Sequence, residues 1–159
     1  MQKRVITAII VVLLIAAGIL TFVNRSGSED RPGLVITSGG KETLVAWEDI
    51  EAVEFSGELV NGKGEVSQHA FTGQELGSIL AQNGVELTAD AEITAASEDN
   101  YAADLSGAEI LEAGKVYVAL TDNGEQIEGI EGGQGGQLIV FGDPNSKRAV
   151  RYLKTIEVK

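Results

Sequence analysis

The chain has no cysteine and only one histidine among its 159 residues. Without cysteine there is no disulfide, no thiolate-ligated zinc, no iron–sulfur cluster, no thiol nucleophile and no lipobox for lipoprotein processing. One histidine excludes any metal site that needs two. Basic residues are also scarce: 12 Lys and Arg stand against 24 Asp and Glu, a formal net charge of −12. A surface of that sign repels phosphate backbones and argues against nucleic acid as a partner. What is present is 43% hydrophobic residues and 20 glycines. That is the composition of a folded, loop-rich chain of one domain's length.

The hydrophobic residues are unevenly placed. Residues 5–23 read VITAIIVVLLIAAGILTFV, an uncharged run that as a helix spans roughly 28 Å, close to the hydrocarbon core of a bilayer. Lys3 and Arg4 precede it, and Asn24 and Arg25 follow it. The run predicts a transmembrane signal-anchor at 5–23, a cytoplasmic tail at 1–4 and a polar linker at 24–32. A cleaved signal peptide, cut after the small residues Ala16 and Gly18, is the alternative. Both put residues 33–159 on the extracytoplasmic side of a cell membrane. From Gly33 onward there are 22 acidic and 8 basic residues, a net of −14, and five of the eight (Lys147, Arg148, Arg151, Lys154, Lys159) lie in the last 13 positions. A basic strip therefore closes a strongly acidic domain.

Residues 34–37 and 42–46 read as strands around a Gly39-Gly40 turn, and Trp47 to Ile50 as a short helical turn. Alternation over 52–59 gives another strand, and Asn61-Gly62 turns it into a partner over 65–71. Thr72 with Glu75 makes a capping box for a helix over 73–82, with Leu76, Ile79 and Leu80 on one face and Gly84 as its stop. A strand over 91–96 precedes a polar loop. Ser106 with Glu109 repeats the capping pattern for a short helix within 105–111. Strands over 116–120, 138–141 and 152–158 follow, with the turn Asp122-Asn123-Gly124 and the glycine-rich loop 129–136 between them. Trp47, Phe55, Phe71, Tyr117 and Phe141 read as core. Many short strands with a few short helices predict an α+β, mainly β mixed domain.

Six segments in this order resemble the molybdopterin-binding domain of the sulfite oxidase family. They are Thr43 to Ile50, Phe71-Thr72-Gly73 with Gly84-Val85, Asp99-Asn100-Tyr101, Asn123 to Ile127, Gly136 to Phe141, and Arg148-Ala149-Val150-Arg151-Tyr152-Leu153 with Ile156 to Val158. No one segment is specific; their order over one domain length carries the likeness. The resemblance implies the fold. In members that use molybdenum a cysteine thiolate ligates the metal, and this chain has no cysteine. In cofactor-loaded relatives the segment matching the basic strip lies against the pterin and its phosphate. By that match Arg148 and Arg151 are the carried-over contacts, and Tyr152 stands where the family often has Trp.

Arg148 and Arg151 suit an anion clamp, because guanidinium forks match phosphate and carboxylate geometry; surface ion pairing is the plainer alternative. Gly133 and Gly135 suit an anion-binding nest or, equally, a flexible loop. His69, alone on a strand, reads as structural, and no catalytic residue is assigned. The Asp122 to Glu125 segment lacks full calcium-loop spacing. The expectation is a membrane-anchored, extracytoplasmic binding or accessory module that holds a small anionic ligand or an envelope redox partner. No metal or cofactor is expected, with molybdopterin allowed only without cysteine ligation. The alternatives are a divergent molybdopterin-dependent oxidoreductase and a cell-surface protein-interaction domain.

Overall fold

The structure is a computed structural model that describes residues 31–159. The expected tail, membrane helix and nearly all of the linker lie outside the described residues. Among the described residues no helix is long and apolar enough to cross a membrane. The elements of the compact unit Pro32–Lys159 are β1 (Gly33–Ser38), β2 (Lys41–Ala46), a 3₁₀ turn (Trp47–Asp49), β3 (Val53–Val60), β4 (Val66–Glu75), α1 (Leu76–Gln82), β5 (Glu92–Ser97), β6 (Ala102–Ser106), α2 (Gly107–Leu111), β7 (Val116–Asp122), β8 (Glu125–Gln126), β9 (Gln137–Val140) and β10 (Leu153–Val158).

The strands make two sheets. One runs β2-β1-β10-β5-β6 and the other β3-β4-β7-β8, with β9 also paired to β7. Only β1 and β10 pair in parallel. Alternation decides which side chains meet. Leu34 and Ile36 of β1, Ile93 and Ala95 of β5, Val116 and Val118 of β7, and Leu138 and Val140 of β9 all point into one core with Leu76, Ile79 and Leu80 of α1. Burying each Leu or Ile there contributes about 1.5–3 kcal/mol relative to exposure. In β10 the core residues Leu153 and Ile156 are three apart, which strict alternation forbids. A register shift between Leu153 and Thr155 restores the phase.

The opposite parity builds a second, smaller cluster on the other face of the β4–β7 sheet. It consists of Phe71, Ala119 and Ile139, flanked by Phe55, Leu59, Tyr117, Ile127 and Phe141. Trp47 and Phe71 are buried as expected, but Phe55, Tyr117 and Phe141 are only half-buried. Val116 and Val118 claim the core face, so Tyr117 between them must face outward.

One expected cap is not formed. The helix over 73–82 begins instead at Leu76, because β4 continues to Glu75. Thr72 is not a cap: its hydroxyl hydrogen-bonds the Thr121 hydroxyl at 2.7 Å. Gly73 is pressed against β7, where a Cβ would meet the Val118 carbonyl at 2.0 Å. Pairing with β7 therefore outweighs the local capping signal. The stop holds, since Gly84 at φ +77° ends the helix with Gly84 N–H donating to Ala81 O and Val85 N–H to Leu80 O, the Schellman arrangement. The second cap also forms as expected: Glu109 N–H donates to Ser106 Oγ at 3.3 Å, and Ser106 N–H to Glu109 Oε2 at 3.2 Å.

Candidate functional site

The first part of the basic strip, Lys147 to Arg151, lies between β9 and β10 and is stitched to the core by its apolar member. Val150 is fully buried, and its carbonyl accepts from Leu138 N–H at 2.9 Å. Leu153 N–H donates to Gly136 O at 3.0 Å. Tyr101 Oη donates to Lys147 O. With Val150 inward, the two arginines that flank it separate.

Arg148 is held by two carboxylates. Its Nε donates to Asp143 Oδ2 at 2.9 Å, its Nη2 donates to Asp143 Oδ1, and its Nη1 donates to Glu109 Oε2 at 3.0 Å. Nη2 also lies 2.9 Å from Glu109 Oε1. The Arg148 hydrogen bond is the main reason the Glu109 carboxyl is held down at about 2. Burial opposes that shift, and the Ser106 cap adds to it. Asp143 first, then Glu109, raises the Arg148 guanidinium further above its ordinary value. All three donor groups of the fork are thus engaged within the chain.

Arg151 is exposed and makes no ion pair with any described residue. It lines an open cleft of about 620 Å³ with Tyr152, Glu125, Gln126, Glu128 and Gln137. Tyr152 also borders a smaller recess of about 150 Å³ with Trp47, Glu98 and Gly135. It sits at φ +50°, a left-handed conformation that costs a bulky residue about 1–3 kcal/mol. Its carbonyl accepts from Glu98 N–H at 2.9 Å, which helps fix that geometry.

The glycine-rich segment is tied down. Gln134 Nε2 donates to Gly135 O at 2.6 Å, Leu120 O at 3.2 Å and Ile127 O at 3.3 Å. Gly135 N–H donates to Ile127 O at 2.8 Å, and a Cβ there would strike Gly129 N at 2.6 Å. Gly135 is therefore a packing glycine whose N–H already has a partner. Gly133, at φ +75° with open space around it, is exposed in the turn that returns its carbonyl to Gly129 N–H. The structure thus brings Arg151, Tyr152 and the Gly135 segment to one region, and directs Arg148 to Asp143 and Glu109.

One arrangement was not legible in the sequence. His69 stands between Ser67 and Asp122, with Nε2 at 2.8 Å from Ser67 Oγ and Nδ1 at 2.9 Å from Asp122 Oδ1. Ser67 and His69 are two apart on one strand, a visible pairing. Asp122 is 53 residues away in sequence from His69, and only the β4–β7 register brings it near.

No protein-family model and no curated protein matches the sequence. Among solved structures, the chain is similar to the sulfane dehydrogenase SoxCD from Paracoccus pantotrophus, with a TM-score of 0.63 and 15% identity. The match covers 79% of this chain and 37% of that one, so the chain spans little more than a third of the neighbour's length. The likeness supports a distant sulfite-oxidase-like fold. A thiolate-ligated molybdenum does not fit these residues, because no cysteine exists to supply the thiolate. Arg151 is the one cation among the described residues that line the cleft, beside Glu125 and Glu128.

Proposed function

We propose that the chain is a membrane-anchored, extracytoplasmic binding or accessory module on a sulfite-oxidase-like fold. It works without catalytic molybdenum and binds a small anionic ligand in the Arg151–Tyr152 cleft. Arg151 carries the reading: in a domain of net charge −14 it is a cation without an ion pair among the described residues, at the lip of a cleft of about 620 Å³. Its fork presents paired N–H donors to a phosphate or carboxylate. The Tyr152 ring supplies an apolar wall, and Gln126 and Gln137 supply neutral polar groups. Glu125 and Glu128 restrict the ligand to a compact anion that sits on the Arg151 side. The apolar run at 5–23 supports the anchor.

Two measurements on the full-length chain test this. Phenyl phosphate, titrated by calorimetry, is expected to bind wild type and to lose at least tenfold in affinity in Arg151→Ala. Equal binding by the two would sink the site. The chain recovered from its own cells is expected in the membrane pellet, resistant to carbonate extraction and free of molybdenum. Stoichiometric molybdenum would favour the second reading, a divergent molybdopterin-dependent oxidoreductase, which the fold likeness alone supports.

A further inference from the structure

We propose that Ser67, His69 and Asp122 form a hydrolytic triad on the outer face of the β4–β7 sheet, acting on carboxylic esters with an apolar acyl group. The hydrogen bonds fix the proton positions. A carboxylate only accepts, so the Asp122 oxygens at 2.9 and 3.0 Å draw the proton of the neutral imidazole to Nδ1. Nε2 is then the acceptor, and the Ser67 hydroxyl, 2.8 Å away, donates to it. This is a nucleophile hydrogen-bonded to a base, with the base oriented by a third group.

The surroundings hold that geometry. Parallel stacking of the imidazole on Phe71, with centroids 5.5 Å apart and planes 6° apart, fixes the ring. Asp122 ends β7, and the next residue, Asn123, is locked to β4. Its N–H donates to Ala70 O at 2.6 Å, and its Oδ1 accepts from Ala70 N–H at 3.0 Å. Ser67 is exposed, while the His69 and Asp122 side chains are 22% and 33% exposed. The serine is open to substrate and its partners are half sheltered.

The acyl group has a place to lie. Leu59 is directly opposite Ser67 in the β3–β4 register, on the same face. From Leu59 the apolar ground continues through Phe55, Phe71 and Phe141. A backbone N–H lies at an open sheet edge next to the nucleophile. β7 pairs with β4 only from Phe71 to Glu75, so beyond Ala70 no described strand pairs that edge. Backbone alternation turns the Gln68 N–H to the same edge as the Ala70 N–H. Gln68 directly follows the nucleophile, the position that supplies an oxyanion donor in other serine hydrolases.

The chemistry closes with water alone. Ser67 Oγ attacks the ester carbonyl carbon while its proton passes to His69 Nε2. The bond from that carbon to the alcohol oxygen breaks, and Nε2–H protonates the leaving alkoxide. Water then loses a proton to Nε2 and attacks the acyl carbon; the bond from that carbon to Ser67 Oγ breaks, Nε2–H returns its proton to Oγ, and the carboxylic acid leaves. Ser67 and His69 are the catalytic residues, and Asp122 is a positioning residue.

The test is made on the full-length wild-type chain. Treated with an alkyl fluorophosphonate, it is expected to displace fluoride from the reagent and gain the phosphonyl mass on the peptide that carries Ser67. With 4-nitrophenyl butyrate it is expected to show a burst of nitrophenolate followed by turnover. Ser67→Ala removes both signals, and His69→Gln slows both by about a hundredfold or more. Asp122→Asn lowers kcat by a similar factor and leaves both KM and the thermal melting midpoint near wild type, which separates lost positioning from lost folded chain. Ser56→Ala labels at the wild-type rate. An unlabelled Ser67 in wild type overturns the proposal, whatever the variants do. So does labelling at an unchanged rate in His69→Gln, or ester turnover that survives Ser67→Ala.

Discussion

The guanidinium of Arg148 grips the carboxylate of Glu109, which lies 39 residues earlier and already partners Ser106 in the capping box of α2. One carboxylate thus serves a helix start and a long-range ion pair, while Asp143 completes the grip from the turn after β9. The strip that carries Arg151 and Tyr152 is fixed in space through this link.

Removing the guanidinium should therefore loosen the domain without touching the cleft directly. Arg148→Ala leaves Asp143, whose side chain is only 9% exposed, without its cation. The group is neither fully buried nor free in solvent, so we expect a loss of about 1–2 kcal/mol. In thermal unfolding that is a fall of about 4–8 °C. Arg148→Lys should recover less than half, because an ammonium cannot bridge two carboxylates as a fork does. Unchanged melting of Arg148→Ala would contradict the role assigned to the grip.

The same link sets an acid dependence. The Glu109 carboxyl is held at about 2 in the folded state, against 4.5 ordinarily. A depressed carboxyl pKa gives stability that is fully present above the unfolded value and lost as pH falls through the folded one. Denaturant midpoints should therefore be insensitive to Glu109 from neutrality to about pH 5.5. They should fall between about pH 4.5 and 2. Glu109→Gln should flatten that part of the profile relative to wild type. Comparison of urea midpoints at pH 6, 4 and 3 measures the difference, and parallel profiles would refute it.

Gly73 separates two readings of the same segment. If it began a helix after a Thr72 cap, Gly73→Ala would be neutral or stabilising, as alanine is the better helix former. In the strand, a Cβ meets the Val118 carbonyl oxygen at 2.0 Å and Ala119 Cα at 2.8 Å, both backbone, so nothing flexible can move. The expected result is a loss of about 2–3 kcal/mol or failure to fold. A pulse-proteolysis comparison with Gly62→Ala, where a Cβ meets nothing within 4 Å, supplies the control.

These residues also show where the sequence was legible. Ser106 with Glu109 predicted a cap and formed one, because nothing else competes for the Ser106 hydroxyl. Thr72 with Glu75 has the same pattern and failed, because Thr121 and the β7 backbone compete for that stretch. β6 and β8 escaped notice for a different reason. Ala102 to Ser106 has only two core positions, Ala103 and Leu105, with Asp104 between them, and β8 is two residues long, too little for a periodic signal. The β10 bulge hides its own period from a strict alternation template. The basic strip and the family likeness single out Arg148, Arg151 and Tyr152 alike; that Arg148 turns to Glu109 and Asp143 depends on where the fold puts those carboxylates. Of the Ser67–His69–Asp122 group, spacing shows only the Ser67–His69 pair, since the third member is supplied by strand register.

Tyr152 gives the sharpest test of whether the cleft is kept for use. Its φ of +50° places a bulky side chain in the left-handed region, where asparagine or glycine would sit at lower cost. A position selected for stability alone would carry one of those. Tyr152→Asn gives up a half-buried ring and relieves the backbone. These effects oppose each other, so the unfolding free energy should stay within about 1 kcal/mol of wild type. Phenyl phosphate affinity should nevertheless fall several-fold, because the ring forms a wall beside Arg151. Strain held where its relief costs binding but not stability marks a functional position. A variant that melts far below wild type would instead make Tyr152 a packing residue and remove the ring from the ligand site.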